Sequence, residues 1–368
     1  MVVLTKDEFL ECARKNGVKK ASQDVDVVTT ATFGPMCSSG VFLNFGHTDP
    51  PIKMQKIWLN DVPAYGGIAA ADAYLGATEI SETEGIAYGG AHVIEDLLRG
   101  KRIRIYAQSH GTDCYPLKEF EGIFTLRTLN QAMMFNPRNV YQNYSAATNS
   151  RKTTIYTYMG TLLSNYSNVN YATCGYLSPL NNDPEYLTIG TGTRVFLGGG
   201  TGYVVGPGTQ HNPGQKRDNK TKTTIGPGAT LCLSGDLKGM SPDYVRAAVF
   251  YRYGVTLFLG IGIPIPVLNE QIANSLLIAD KDIYTTIVDY GISEGKRPVL
   301  KQVSYAELRS GEVELKGHKV PSAPLCSLYK AREITKVLKQ WIKNGKFLLG
   351  EPAATLPINT TLHGFGKE

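Results

Sequence analysis

No apolar run in the 368-residue chain reaches membrane-spanning length, and Met1-Val2-Val3-Leu4-Thr5-Lys6-Asp7-Glu8 has neither the basic start nor the apolar stretch of a secretory signal. A cytoplasmic protein with no membrane partner is expected. Cysteine is scarce: six residues without a regular framework fit a reducing compartment better than a disulfide scaffold. No Cys-x-x-Cys pair occurs, and neither zinc-ribbon nor ferredoxin-type iron–sulfur spacing is present, so no metal ligand set is assigned. The G-x-x-x-x-G-K-[ST] motif is missing, and neither Gly198–Gly202 nor Gly260–Gly262 completes G-x-G-x-x-G between a strand and a helix. These glycines therefore read as turns and close approaches. Charged residues make up only 19% of the chain, and the net +6 is dispersed; its densest run, Lys216 to Lys222, lies in a Pro/Gly-flanked loop. No basic patch interleaved with aromatics appears, so nucleic acid is not an expected partner.

With 42% apolar residues, the chain can bury a large core. Thr5-Lys6-Asp7-Glu8 has the form of a capping box opening a helix that Asn16-Gly17 stops. Val25 to Thr30 reads as a strand, Gly90 to Leu98 as a helix, and Ile103 to Ala107 as the following strand. A helix is expected from about Asn269 to Ala279, and another where Ile334, Val337, Leu338, Trp341 and Ile342 recur at helical spacing before Asn344-Gly345. Between Leu187 and Leu233, glycines and β-branched residues suggest a meander of short strands, in which Val205-Gly206-Pro207-Gly208-Thr209 is echoed by Ile225-Gly226-Pro227-Gly228-Ala229-Thr230. Tyr141 to Pro179 has no clear period. The expected fold is α/β: a mixed, partly parallel sheet with helices, plus a glycine-rich β lobe. One domain is expected over 1–350, with lobes 1–180 and 181–320, followed by a tail at 351–368.

The two most distinctive loops each carry a cysteine, Cys37 in Thr32-Phe33-Gly34-Pro35-Met36-Cys37-Ser38-Ser39-Gly40 and Cys114 in Ser109-His110-Gly111-Thr112-Asp113-Cys114-Tyr115-Pro116. Each follows an expected strand. If both strands belong to one parallel sheet, both thiols emerge at its carboxyl edge, where open α/β folds bind ligands. A thiol is a nucleophile only as thiolate, which backbone donors, a histidine or a cation can favour. Ser38 and Ser39 flank Cys37, while His110 and Asp113 accompany Cys114; His110 is the preferred general acid. Polar loops add His47, Asp49 and Asp61, and the glycine-rich segment adds Arg194. Cys12, Cys232 and Cys326 read as structural, and Cys174 as a weaker candidate for a third active thiol. Convergence of Cys37, His47, His110 and Cys114 on a metal remains an open alternative.

The two cysteine motifs, together with Asn44-Phe45-Gly46-His47-Thr48-Asp49-Pro50-Pro51, Leu59-Asn60-Asp61-Val62-Pro63-Ala64-Tyr65-Gly66-Gly67, the glycine-rich segment 190–211 and Gly235-Asp236-Leu237-Lys238-Gly239-Met240, resemble the homocysteine-biosynthesis (HcyBio) family of anaerobic archaea and bacteria. The resemblance extends over nearly the whole chain. It implies reductive incorporation of sulfide, or sulfur from a persulfide donor, into L-aspartate semialdehyde to give L-homocysteine, with Cys37 and Cys114 tied to activity. It also implies electrons delivered through a separate protein with a ferredoxin-like iron–sulfur portion. A redox-active Cys37–Cys114 disulfide fits that chemistry. Ser38, Ser39, His47, Asp49, Asp61 and Arg194 are the candidate substrate contacts, the last two for the substrate's charged groups. Some relatives carry a C-terminal CBS pair, for which this chain has no room after Trp341, so regulation through one is not expected. No cofactor is expected to be firmly bound. An iron–sulfur cluster on this chain, making it an electron or sulfur carrier, and a homodimer are the alternatives left open.

Overall fold

In the computed structural model, residues 1–360, 362 and 363 are described; residues 361 and 364–368 of the expected tail lie outside them. Among the described residues, a 14-stranded sheet and a six-stranded sheet, both mixed, are flanked by helices, as expected for an α/β chain. No helix among them is long and apolar enough to cross a membrane.

The large sheet is organised around one long contact. Val27–Pro35 pairs antiparallel with Gly254–Pro266, in register from Val27↔Pro266 to Pro35↔Phe258. Successive residues of Val27–Pro35 point into different cores. Val28 packs with Val41, Leu75 and Ile94, whereas Val27, Ala31 and Phe33 pack with Tyr171, Ile287 and Ile334. Such burial on both faces requires a nearly continuous apolar and β-branched strand. The sequence Val-Val-Thr-Thr-Ala-Thr-Phe supplies one.

Helix Leu328–Lys343 lies across this strand pair. Ser327 caps it by accepting a hydrogen bond from the Lys330 N–H, and its own N–H donates to the Phe33 carbonyl at 2.9 Å. Ala331, Ile334, Leu338 and Ile342 form the buried face, matching the spacing seen in the sequence. The close approach explains Gly260 and Gly262: a Cβ at either would stand 2.7 or 2.9 Å from Ile334 side-chain atoms. Those glycines thus lie inside a 13-residue strand under a helix, not in a loop after one.

The other elements follow the sequence closely. Thr5 and Glu8 form the reciprocal capping box of helix Lys6–Asn16, and helix Gly90–Leu98 leads into strand Ile103–Gln108. The helix after Asn269 is shorter than expected, Glu270–Ser275, with Asn269 as its cap. The glycine-rich strands Arg194–Leu197, Gly200–Pro207 and Leu231–Asp236 run within the large sheet, between Gly254–Pro266 and Gln131–Asn139, not beside it. Strands from before residue 180 and after residue 181 therefore alternate in one sheet. Only Val3–Thr5 and Val27–Pro35 pair in parallel within it, so the parallel-edge geometry anticipated for the two cysteines is not what places them.

Lys6 is fully buried, with its Nζ donating to the Leu276 carbonyl at the end of helix Glu270–Ser275. Burial lowers its pKa from 10.5 to about 7, against the opposing pull of Asp7, Asp280 and Asp282. Between those values the unfolded chain binds more protons than the folded one, so stability rises as pH rises from about 7 to 10.5. Thermal unfolding of Lys6→Met against wild type should show the variant's relative stability highest at or below pH 7 and falling by a few kcal/mol toward pH 10. A difference that is constant over this range would contradict the buried-charge account.

Candidate functional site

The Val27–Pro35 strand delivers its chain directly into a turn. Met36 N–H donates to Leu257 O at 2.7 Å, the Ser39 N–H and hydroxyl both return to Met36 O, and the chain leaves as strand Gly40–Asn44. Asn136 Nδ2 donates to Ser39 Oγ, and Ser38 Oγ donates to the Arg138 carbonyl at 2.8 Å. Ser38 and Ser39 therefore brace the turn. Cys37, at its tip, is half-buried and lines a cavity of about 470 Å³.

The cavity gathers segments far apart in sequence. Thr32, Gly34 and Pro35 come from the strand before the turn, Arg138, Tyr141 and Tyr144 from the segment ending strand Gln131–Asn139, and Tyr158 from the hairpin Ile155–Leu162. Thr173 follows strand Val169–Tyr171, and Tyr253 belongs to the turn before Gly254–Pro266. The second of the two echoed glycine–proline segments completes the wall with Pro227, Gly228 and Thr230; it meets the first through the Gly208 N–H and Thr230 O at 2.9 Å.

Burial pushes the Cys37 thiol up, opposed by the Cys37 backbone N–H, the Arg138 guanidinium and the Ser38 N–H. At neutral pH it rests as a thiol with a cation and two amides arranged around any thiolate that forms. Arg138 also faces the Tyr141 hydroxyl, whose pKa burial pushes up to about 12. Arg138 Nε and Thr256 Oγ1 are buried without hydrogen-bond partners at this cavity. Tyr158 differs from its neighbours: burial works against its ionisation, yet hydrogen bonds from Tyr144 and Tyr290 and the nearby Arg297 bring its pKa below the usual phenol value. The Tyr158 hydroxyl lies 3.3 Å from that of Tyr144 and 2.9 Å from that of Tyr290. Tyr158 is thus a cavity-lining phenol whose ionisation is favoured by its neighbours.

Cys114 lies elsewhere. Its loop joins strands Ile103–Gln108 and Glu119–Phe124 and is closed by reciprocal backbone hydrogen bonds between Thr112 and Tyr115. The sheet runs from Phe42 through Tyr74, Tyr65 and Lys56 to Gln108, four strand spacings, on the order of 20 Å. Along the strands the two thiols diverge further, with Cys37 before Gly40 and Cys114 on the side of Asn44. A disulfide requires Cα atoms within about 7 Å, so this conformation does not bond Cys37 to Cys114 within one chain. All six cysteines are free, and Cys114 is exposed.

His110 and Asp113 are exposed and travel with Cys114, outside the cavity, so His110 does not serve Cys37 here. His47 lies against Tyr115 with ring centroids 6.3 Å apart, and Asp49 is exposed in the same neighbourhood. Asp61 occupies the tight Asn60-Asp61 turn between strands Lys56–Leu59 and Val62–Tyr65, with φ of 60°, and pairs with Arg104. Arg194 sits over Tyr203 and Phe347 and donates to Leu348 O at 3.0 Å. Neither lines the Cys37 cavity. Among the described residues, no three Cys, His, Asp or Glu side chains converge as a metal site would require, and the candidate set Cys37, His47, His110 and Cys114 is divided between two places. These donors do not fit an iron–sulfur cluster.

The residues missed from sequence are Arg138, Tyr141, Tyr144 and Tyr158. The run of tyrosines and asparagines after Asn139 was the available signal, and it has no period.

Over residues 1–349 the chain matches the family described as homocysteine biosynthesis enzyme, sulfur-incorporation. It belongs to that family. It is 55% identical to an L-aspartate semialdehyde sulfurtransferase of Methanosarcina acetivorans over 354 residues, covering 96% of this chain and 69% of the relative. It is 53% identical to a protein of the same name from Methanocaldococcus jannaschii over 370 residues, 96% of this chain and 70% of the relative. An uncharacterised protein of Methanothermobacter thermautotrophicus is 29% identical over 324 residues, 84% of this chain and 69% of its own length. No solved structure matches.

For this HcyBio chain, iodoacetamide should label exposed Cys114 first and Cys37 slowly at pH 7.5, with Cys37 accelerating as pH rises through and above the ordinary thiol range. Arg138→Met should move that acceleration to higher pH. Peptide mass mapping across pH checks both. Faster labelling of Cys37 than Cys114, or an unmoved pH profile in Arg138→Met, would contradict the electrostatics described.

Proposed function

We propose that this protein is an L-aspartate semialdehyde sulfurtransferase that incorporates sulfur reductively to form L-homocysteine, with carbon–sulfur bond formation in the Cys37 cavity. The observation that carries this reading is a cysteine thiol lining a cavity beside a guanidinium whose Nε has no partner. Arg138 is the anchor for the substrate carboxylate, because a half-buried guanidinium whose Nε lacks a partner lines the cavity and can take an anion. The hydroxyls of Thr173, Thr230 and Thr256 and the tyrosine rings are what the cavity offers the ammonium group.

Sulfur adding to the aldehyde gives a hydroxythiol. Loss of water then leaves a thiocarbonyl, and two electrons with two protons yield the thiol. Tyr158 is the proton donor for the departing oxygen, replacing His110 in that role. With sulfide as donor, Cys37 holds the aldehyde carbon as a hemithioacetal; a donor already at the persulfide level can instead load Cys37 with a persulfide, releasing its own thiol in the exchange. Cys114, exposed on its hairpin loop, is the thiol that an external sulfur or electron donor can meet. A ferredoxin-like iron–sulfur protein is the proposed source of electrons, on the strength of the family resemblance. Exchange between Cys114 and Cys37 then requires loop movement or a second copy of the chain, since one protomer in this conformation holds them apart.

Homocysteine formation from aspartate semialdehyde and sulfide, assayed anaerobically with a low-potential reductant and the iron–sulfur protein, tests the reading. Cys37→Ala and Cys114→Ala should each reduce formation to background. Arg138→Ala should raise KM for the aldehyde roughly ten- to hundredfold, as loss of a charged hydrogen bond does. Tyr158→Phe should lower kcat by roughly a hundredfold with little change in KM. No homocysteine from the wild type under these conditions, or full turnover by Cys37→Ala, would overturn the proposal.

A further inference from the structure

Behind the wall of the Cys37 cavity lies a second pair of thiols. Cys174 is fully buried and Cys326 is 8% exposed, and each sulfur reaches a carbonyl beside the other cysteine, Cys174 Sγ lying 4.0 Å from Ser327 O. The Cys326 thiol donates to Thr173 O at 2.7 Å, and Cys174 Sγ lies 3.8 Å from Phe33 O. The residues holding them, Thr32, Gly34 and Thr173, also line the cavity. At Gly34 the separating wall has no side chain: a Cβ there would stand 3.5 Å from the Cβ of Cys326. Cys326 immediately precedes Ser327, the cap of the 16-residue helix, and the Arg309 guanidinium is close enough to favour negative charge on both sulfurs.

An inert buried cysteine usually sits alone among apolar groups. Here two thiols are neighbours beside a helix N-terminus and a guanidinium, each within 4.0 Å of a carbonyl adjoining the other cysteine, and the Cys174 thiol is lowered to about 7, chiefly by the nearby Cys326. That is the arrangement in which one thiolate attacks an incoming sulfur and the neighbouring thiol resolves the adduct.

We propose that Cys174 and Cys326 form a redox-active dithiol, distinct from Cys37 and Cys114, that is oxidised to an intramolecular disulfide by small sulfane-sulfur compounds entering through the Cys37 cavity. With hydrodisulfide as oxidant, Cys174 attacks one of its sulfurs and its sulfur–sulfur bond breaks, releasing hydrosulfide. Cys326 then displaces the remaining sulfur from Cys174 as a second sulfide. One sulfur–sulfur bond breaks and one forms overall; the two thiols lose two electrons and two protons, and the products are one hydrogen sulfide and one hydrosulfide. Oxidation removes the Cys326 hydrogen bond to Thr173 O, so the state of the pair is transmitted to the cavity wall.

The test uses the full chain carrying Cys37→Ala and Cys114→Ala, reduced anaerobically, exposed to hydrodisulfide, quenched with acid, alkylated and digested. The expected product is a Cys174–Cys326 cross-linked peptide in the majority of molecules, with Cys12 and Cys232 alkylated. Recovery of both Cys174 and Cys326 as free thiols, or of Cys174 as a persulfide with Cys326 free, would overturn the proposal. Cys326→Ser, which keeps a hydroxyl donor for Thr173 O, should unfold at the wild-type temperature and form no cross-link. In the chain with Cys37 and Cys114 intact, oxidation followed by removal of hydrodisulfide and selective reduction of exposed sulfurs should change the Cys37 alkylation rate several-fold. An unchanged rate would overturn the coupling to the cavity.

Discussion

The antiparallel pairing of Val27–Pro35 with Gly254–Pro266 is the constraint on which the rest depends. It fixes where the chain turns at Cys37, brings Thr256 beneath the cavity and presents the two side-chain-free positions, Gly260 and Gly262, on which helix Leu328–Lys343 can lie. The same strand offers the Phe33 carbonyl to Ser327 and lies against Cys174. Cavity, thiol pair and helix are thus held by one strand buried on both faces. A shift of register by one residue would exchange its two faces and lose all three together.

The cavity's chemistry comes from a balance of burial against charge. Burial alone would leave Cys37 a poor nucleophile. Arg138 and the turn amides oppose that effect without abolishing it, so the thiol stays protonated to higher pH than an ordinary cysteine. Tyr158 shows the complementary case, with neighbouring phenols donating to it so that its proton is lost more easily than an ordinary phenol's. The proposed addition, dehydration and reduction would draw on a thiol held protonated, a phenol more acidic than usual and a guanidinium whose Nε has no partner.

The features legible in the sequence were those with a local cause. Thr5 and Glu8 announce a helix start because the capping box is contained within four residues. Ile334, Leu338 and Ile342 announce a helix face because its period is local. The cysteine loops were legible as motifs, and Cys37 is indeed placed on a cavity. What was hidden depends on contacts between distant segments. From Tyr141 to Pro179 buried polar side chains are satisfied by remote backbone: Asn143 bonds Thr224 O and Tyr284 O, and Gln142 bonds Leu180 O and Pro184 O. No periodicity records such pairings, so Arg138 and Tyr158 could not be singled out. Asp61 and Arg194 were chosen by charge and loop position, but Arg104 and the 347–348 segment engage them instead.

The central claim is that sulfur meets the substrate carbon at Cys37, not at Cys114. The most direct measurement is to mix the wild-type protein anaerobically with aspartate semialdehyde and sulfide while withholding reductant, trap the mixture with acid, and locate the covalent adduct by peptide mass spectrometry. A substrate adduct on the Cys37 peptide, lost in Cys37→Ser and retained in Cys114→Ser, is the result this account predicts. An adduct confined to the Cys114 peptide, with Cys37 recovered as a free thiol, would contradict it.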